Sequence, residues 1–508
     1  MTDTVVQQWV KLEEKALVGG GNARIERQHQ LGKKTARERL ALLLDPSSFF
    51  EIDRLAVSPF LDAPELTDGV IAGFGSIQGR KVAVYAQDFT IKGGSLGKRH
   101  AEKIAKVMDM AAKIGCPIIG IIDSGGARID EGIHALAGYG SIFRRNCQYS
   151  GVVPQFSIIV GPCAGGAVYS PAITDVVFMT KDISQMFITG PQVIEEVLHQ
   201  SITKEALGGI DAHGRQSGVA HVICETENDC FASLQDLLSY FPDSYLDQPP
   251  AGSPVLPTTM YNTPHIPENP QQSYNIKDII STIIDDTYFE LHTDFAANIV
   301  TCFARLNGQV VGIVANQPLV KAGCIDIDAS CKAARFIRLC DSFGIPIVTL
   351  VDTPGYLPGV EQEHNGIIRH GAKLLYAYAT ATVPKITLIL RKAIGGAYIV
   401  MGSKELAADF NFAWPSAQIA VLGAKAAITI MRGKELAALN PAERALAQAS
   451  FESAYTEEFL HPFTAAAHGY IDAIVQPQQT REQLIQALQL TRDKVEIRPT
   501  RKHGNIPL

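Results

Sequence analysis

Three glycine-rich turns carry the residues in this sequence best suited to chemistry: Ser124-Gly125-Gly126-Ala127, Ala164-Gly165-Gly166-Ala167 and Gly395-Gly396-Ala397. Each stands after an apolar, Val/Ile-rich run that reads as a buried strand. A turn of this kind bares successive backbone N–H groups. Where it opens a helix, those dipoles converge on one spot and can stabilise a developing oxyanion. Glycine suits the position because a Cβ would block the approaching reactant. A single Gly-Gly-Ala is more often a packing device. Recurrence at matched places in the chain suggests two facing oxyanion holes, one built from Gly125, Gly126, Ala127, Gly165 and Gly166 and the other from Gly395, Gly396 and Ala397.

Other chemistries find little support. The chain has no G-x-x-x-x-G-K-[ST] phosphate loop, no H-E-x-x-H, no G-x-S-x-G elbow and no strand-linked G-x-G-x-x-G. Asp123 and Asp352 form a tempting carboxylate pair, but carboxylates beside glycine turns commonly hold loops by accepting backbone N–H bonds. His134, His221, His364 and His370 are the histidines nearest the turns; none has the spacing partners of a triad or a metal site, and each reads as structural. No side chain stands out as a general base.

The elements that must position the turns occur twice. Ala111 to Arg128 (AAKIGCPIIGIIDSGGAR) and Cys340 to Gly359 (CDSFGIPIVTLVDTPGYLPG) share a helical lead, a Gly-x-Pro break, a buried strand and an Asp-Ser or Asp-Thr ahead of glycine. The offset is constant at 352 − 123 = 229 for the aspartates; Pro117 to Pro346 and Lys92 to Lys321 keep it, and Gly165 to Gly395 is one residue longer. Two copies at so long a period mean duplicated domains, not a solenoid. Alternating Val/Ile-rich runs and helical stretches predict α/β halves with largely parallel, buried strands. We therefore expect an N-terminal helical arm over 1–50, a first domain over 51–246, a Pro-rich linker over 247–272 and a second domain over 273–508. Within the arm, Thr35 is placed to cap a helix that docks by an apolar stripe.

With 46% hydrophobic and 19% charged residues, the 508-residue chain has the composition of a well-packed protein. A formal net charge of -7 argues against nucleic-acid or anionic-membrane partners. Nine scattered cysteines without a C-x-x-C pair suit free thiols in a cytoplasmic setting, and no run resembles a signal peptide or a membrane span.

Against this background the sequence resembles the carboxyltransferase β subunits of propionyl-CoA carboxylase and its relatives, members of the crotonase-like superfamily. The resemblance rests on TARERLALLLD at 35–45, SGGARIDEG at 124–132, SQMFITGP at 184–191, EHNGIIRHGAKLLYAY at 363–378, RKAIGGAY at 391–398 and RKHGNIPL at 501–508. It implies two crotonase-like (ββα-superhelix) domains, the first binding an acyl-CoA and the second binding biotin carried on a separate protein. By the same resemblance, Gly125/Gly126 and Gly165/Gly166 surround the acyl-CoA thioester, Gly396 and Ala397 hold the biotin ureido oxygen, and sites form across dimer faces in a homohexamer. The implied reaction is loss of CO2 from carboxybiotin, removal of the α-proton by the biotin so freed, and attack of the thioester enolate on CO2, with no side-chain base and no metal in this chain. The chain lacks a Met-Lys-Met biotin-attachment site and an ATP-binding segment, so a biotin carboxylase and biotin carrier subunit is expected as partner. It departs from propionyl-CoA-preferring members at Ile399, where they carry aspartate, which opens the acyl choice to acetyl-CoA or longer chains. A sodium-pumping acyl-CoA decarboxylase α subunit, such as that of methylmalonyl-CoA decarboxylase, shares these motifs and is the alternative reading.

Overall fold

The computed structural model describes residues 3–257 and 266–507, the side chain of Asp3 excepted. The chain divides into two compact units, Met1–Gln248 and Pro249–Leu508. Residues 258–265 of the expected linker lie outside the described residues. What is described of the remainder is stitched to the second unit: Gly252 N–H donates to Gly308 O at 2.8 Å, Arg481 Nη2 to Val255 O at 3.2 Å, and Arg391 Nη1 to Gln272 O at 2.8 Å. The division accordingly falls at the start of the Pro-rich segment and not at its end near residue 273. Proline fixes φ and removes a donor, which keeps the described residues of the segment out of helix and sheet, but their carbonyls remain good acceptors for arginine.

The first unit is built on a sheet of strands β1 (Phe50–Ile52), β2 (Val70–Ile77), β3 (Arg80–Gln87), β4 (Ile118–Ser124), β5 (Gln155–Ala164), β6 (Val176–Thr180), β7 (Gln185–Phe187) and β8 (Val222–Cys224). Their order is β1-β2-β3-β4-β5-β6-β8, with β7 beside the end of β5. Pairing is antiparallel from β1 to β3 and parallel from β3 onward. The expectation of largely parallel strands therefore holds for the part that carries the turns. Every residue of β4 is buried, as a parallel strand covered on both faces requires, and its run IIGIIDS shows no polar alternation.

The second unit repeats the plan with β9 (Phe289–Leu291), β10 (Ile299–Leu306), β11 (Gln309–Asn316), β12 (Ile347–Thr353), β13 (Lys385–Ile394), β14 (Phe410–Ala413), β15 (Gln418–Ala420) and β16 (Ala473–Ile474), in the order β9-β10-β11-β12-β13-β14-β16 with β15 beside β13. The duplication reaches irregular details. The β4–β5 register slips between Ile122 and Ser124, and the β12–β13 register slips between Val351 and Thr353. Isolated bridges join Leu96 to Ala127 and Ile325 to Tyr356. Each unit also buries a lysine from the helix behind its sheet. Lys103 Nζ donates to the carbonyls of Thr67 and Val70 at 2.9 and 2.6 Å, and Lys332 Nζ to those of His292 and Phe295 at 2.8 and 2.9 Å. Burial pushes these ammonium groups down to about 8 and about 7.

The N-terminal arm follows its sequence. Thr35 Oγ1 accepts Glu38 N–H at 3.3 Å while Glu38 Oε2 accepts Thr35 N–H at 2.7 Å, a reciprocal capping box that starts the helix Ala36–Leu43. Ala36, Arg39, Leu40 and Leu43 form its buried face. Among the described residues no helix is long and apolar enough to cross a membrane.

Candidate active site

In the first unit the turn chemistry begins where β4 and β5 end together. Parallel neighbours finish side by side, and in open α/β sheets ligands sit outside the carboxyl ends of such strands. Gly126, at φ +104°, could not accept a Cβ, which would stand 2.8 Å from Ala164 O; the two turns touch at that point. Gly125 N–H donates to Gly93 O at 3.0 Å and Gly126 N–H to Ser124 Oγ at 3.1 Å. Both amides are thus used inside the fold, and Ala127 N–H is the donor this turn leaves without an acceptor among the described residues. Leu96 fixes that donor from either side: its N–H bonds to Gly126 O and its carbonyl to Arg128 N–H, each at 2.9 Å. After β5, Gly165 at φ +61° swings the chain into the 3₁₀ turn Gly165–Val168 and the helix Tyr169–Ile173. Gly166 and Ala167 occupy the first turn, where N–H groups have no intrahelical acceptor. The ring of Tyr139 backs Gly166.

The second unit shows the same device after β13. Gly395, at φ +62°, anchors its N–H on Ala420 O at 2.9 Å and opens the helix Gly396–Val400. Gly396 N–H and Ala397 N–H are the first amides of that helix and have no acceptor among the described residues. Gly396 itself borders open space. Ile399 lies in the same helix and is 46% exposed in the chain by itself, so it is not a core-packing residue of its own unit. At the matched place after β12, Thr353-Pro354-Gly355-Tyr356 replaces Ser124-Gly125-Gly126-Ala127, and proline there has no N–H to offer.

Beneath the turns lie two buried aspartates. Asp123 is fully buried; its Oδ1 accepts Lys33 Nζ at 2.7 Å and its Oδ2 accepts Arg39 Nη1 at 2.8 Å. Arg39 continues to Glu227 Oε2 at 2.7 Å and Val160 O at 3.0 Å. Burial acts against the charge on Arg39, but Asp123 and Glu227 outweigh it and hold the guanidinium above its ordinary value. For Lys33 burial prevails over the pull of Asp123, and the ammonium is held below its usual range. Asp352 meets Arg391 Nε at 3.0 Å and accepts Lys392 N–H at 3.0 Å. The expected backbone-holding role thus describes Asp352 in part. Asp123 instead ends in an ion network.

The architecture agrees with the sequence comparison, in which residues 27–506 match the carboxyl transferase domain family. The chain belongs to that family. It is 50% identical over 523 residues to the propionyl-CoA carboxylase carboxyltransferase subunit of Haloferax mediterranei, covering all of both chains. It is 51% identical over 504 residues to the methylmalonyl-CoA decarboxylase subunit alpha of Veillonella parvula, covering 97% of each. Its fold superimposes on the crystal structure of the transcarboxylase 12S hexamer, solved with methylmalonyl-CoA bound, at a TM-score of 0.94 with 46% identity over 99% of this chain and 98% of that one. The duplicated α/β units are crotonase-like domains, as the sequence motifs implied.

In this carboxyltransferase the four histidines are placed apart from such a role. His134 stacks on Phe60 with centroids 4.1 Å apart, His221 Nδ1 accepts Val177 N–H at 3.2 Å, His364 is exposed, and His370 Nδ1 lies 3.1 Å from Cys331 Sγ. All nine cysteines are free thiols, and among the described residues no group of three or more His, Cys, Asp or Glu side chains is gathered as a metal site would require. Sequence reasoning missed Lys33, Arg39 and Glu227. Their signal is faint: Lys33 and Arg39 flank the capping box, and burying a charge at such positions shows only once the partner 84 to 188 residues away is known.

Proposed function

We propose that this carboxyltransferase moves a carboxyl group between biotin borne by a separate protein and the α-carbon of an acyl-CoA. The observation that carries the reading is the set of amides left without an acceptor among the described residues, Ala127, Gly166 and Ala167 in the first unit and Gly396 and Ala397 in the second, at turns that follow parallel strands. Such donors favour the species in which a thioester or ureido oxygen gains charge, and they do so without reorganising. Biotin, when bound, supplies the transferable carboxyl group and accepts the substrate's α-proton. The chain's task is to align two oxygens and exclude water, which agrees with the lack of a candidate side-chain base. By the resemblance its motifs carry, acyl-CoA lies on the first unit and biotin on the second, a cytoplasmic biotin carboxylase and carrier subunit charges the biotin in an ATP-dependent complex, and subunits assemble as a homohexamer of three dimers.

The purified chain, given free biotin and methylmalonyl-CoA or malonyl-CoA, is expected to release CO2 from the acyl-CoA slowly and without ATP. Loss of the carboxyl group is followed by coupled conversion of the product; absence of turnover with every acyl-CoA would overturn the proposal. Direction in the assembled complex depends on the partner, and coexpression with an ATP-dependent biotin carboxylase separates the carboxylase reading from the decarboxylase one.

Acyl choice is assigned to Ile399, one residue beyond Ala397-Tyr398 on the exposed face of the helix Gly396–Val400. An isoleucine surrendered to an acyl chain loses no hydration, whereas a carboxylate must keep a partner or water. Ile399→Asp is expected to shift the ratio of kcat/KM for longer acyl-CoAs over propionyl-CoA by severalfold to about tenfold, the latter equal to about 1.4 kcal/mol. Because the side chain is half-exposed, the melting temperature should hardly move. Three acyl-CoAs measured alongside a thermal melt decide it, and an unchanged ratio removes the assignment.

A further inference from the structure

The two buried aspartates are equivalent, yet their cations come from different places. In the second unit β12 and β13 pair Val351 with Ile389 and Thr353 with Ala393; in the first, β4 and β5 pair Ile122 with Ile159 and Ser124 with Cys163. These registers set Arg391 and Gly161 at the same position. Arg391 neutralises Asp352 from within its own sheet, with its guanidinium stacked 5.0 Å over Tyr274 and its Nη1 on Gln272 O. At Gly161 no side chain is possible: a Cβ would stand 1.9 Å from Asp123 Oδ1 and 2.8 Å from Lys33 Nζ. The room that glycine leaves is taken by Lys33, which is 7% exposed and lies over the Phe89 ring at 4.5 Å.

Lys33 sits between the helices Asn22–Gln30 and Ala36–Leu43, with its own N–H on Gln28 O at 3.1 Å. Gln28 is buried as well, and its Nε2 reaches Asp123 Oδ2 at 3.4 Å. The other end of this linkage is the reactive turn. Asp123 N–H is held by Gln87 Oε1 at 3.3 Å, the Asp123 carbonyl abuts Gly94, and the next residue, Ser124, receives Gly126 N–H on its hydroxyl. A shift of Asp123 is therefore passed along two residues of buried backbone to the turn that fixes the Ala127 donor.

We infer that Lys33 is a positioning residue for the acyl-CoA turn Ser124–Ala127, so that the N-terminal arm supplies to the first unit the cation that the second unit carries within its own strand as Arg391. The arm is then part of the active-site machinery and not a docking element alone. The inference rests on the proposed role of that turn. Removing the ammonium leaves Asp123 with Arg39 and Gln28 on Oδ2 and no side-chain donor on Oδ1, so the carboxylate shifts into the space beside Gly161 and the turn moves with it. Small displacements of groups that position a reacting centre cost about 10- to 100-fold in rate.

The test compares full-length Lys33→Met and Lys33→Arg with the parent protein in the free-biotin decarboxylation, measuring kcat, KM for acyl-CoA, KM for biotin and the melting temperature. The expected result is a kcat lowered about 10- to 100-fold in Lys33→Met at temperatures well below its melt, an unchanged KM for biotin, and recovery of most of the rate in Lys33→Arg. A structural role alone lowers the melt and leaves kcat per folded molecule at the parent value, which overturns the inference. If Lys33→Met does not fold, Lys33→Gln keeps a hydrogen-bond donor without the charge; a kcat below that of the parent supports the inference and an equal one overturns it. Should the parent itself show no biotin-dependent turnover, the proposed function fails separately. Amide hydrogen exchange then decides: faster exchange at Gly125 to Ala127 in the variant, with Gly396 and Ala397 unchanged, supports the linkage, and equal exchange throughout ends it.

Discussion

Gly396→Pro should lower kcat by about 10²–10³ while leaving the fold intact, because it deletes an N–H that no acceptor among the described residues uses. Gly396 is the first residue of its helix, the position where proline is best tolerated, since the N–H there has no intrahelical partner. A Cβ at this residue meets nothing within 4 Å, so the ring has room. The residue before it is Gly395, whose φ of +62° is kept by a glycine but not by other residues. Gly396→Ala is the paired control: it adds a methyl into the same open space and retains the donor. If Gly396 N–H stabilises charge in the transition state, the proline variant falls well below the alanine variant, which keeps the donor and shares only the steric cost of a Cβ beside the reactant. The loss should appear in kcat and in kcat/KM alike, as for an interaction made only in the transition state. Equal rates in the two variants would remove Gly396 from the oxyanion site.

The duplication, the α/β class and the strand-end location of the turns could all be read from residue spacing. A buried parallel strand must be apolar along its whole length, and a glycine turn tolerates few substitutes, so Ile118–Ser124 and Gly395–Ala397 leave clear traces in the sequence. Hydrogen-bond partners were less legible. Gly125 and Gly126 look like donors as a Gly-Gly pair, yet their N–H groups end on Gly93 O and Ser124 Oγ, leaving Ala127 as the open one. Which amide a turn exposes depends on φ and ψ and on the neighbouring bridge to Leu96, neither of which a Gly-Gly-Ala string specifies. The same limit explains the boundary. A Pro-rich stretch reads as a linker because it cannot form helix or sheet, but Arg391 and Arg481 bind its carbonyls and bring the described part of it into the second unit.

Arg39→Met should cost about 3–5 kcal/mol, the range for removing one partner of a buried ion pair. Arg39 is fully buried, and its guanidinium bonds Asp123, Glu227 and Val160 O, so three acceptors lose a donor at once. Methionine fills much of the volume, which confines the loss to charge and hydrogen bonding and avoids a large cavity. The two carboxylates will not suffer equally. Asp123 keeps Lys33 at 2.7 Å, whereas Glu227 keeps Lys34 N–H at 3.0 Å and a place in the first turn of the helix Glu227–Leu238. The helix N-terminus offsets part of that charge but does not replace a bidentate guanidinium. At about 2–4 °C per kcal/mol for a unit of this size, the melt should fall by roughly 6–20 °C. Glu227→Gln in the same background should then recover part of the loss, because it removes the most exposed consequence of the first substitution, an ionised carboxylate without a countercharge. A thermal melt of the two single variants and the double variant closes the cycle. Additive losses would mean that Arg39 and Glu227 act independently, and an Arg39→Met protein melting within about 2 °C of the parent would mean that the arm is held by its apolar face, Leu40 and Leu43, and that the ion network adds nothing to the fold.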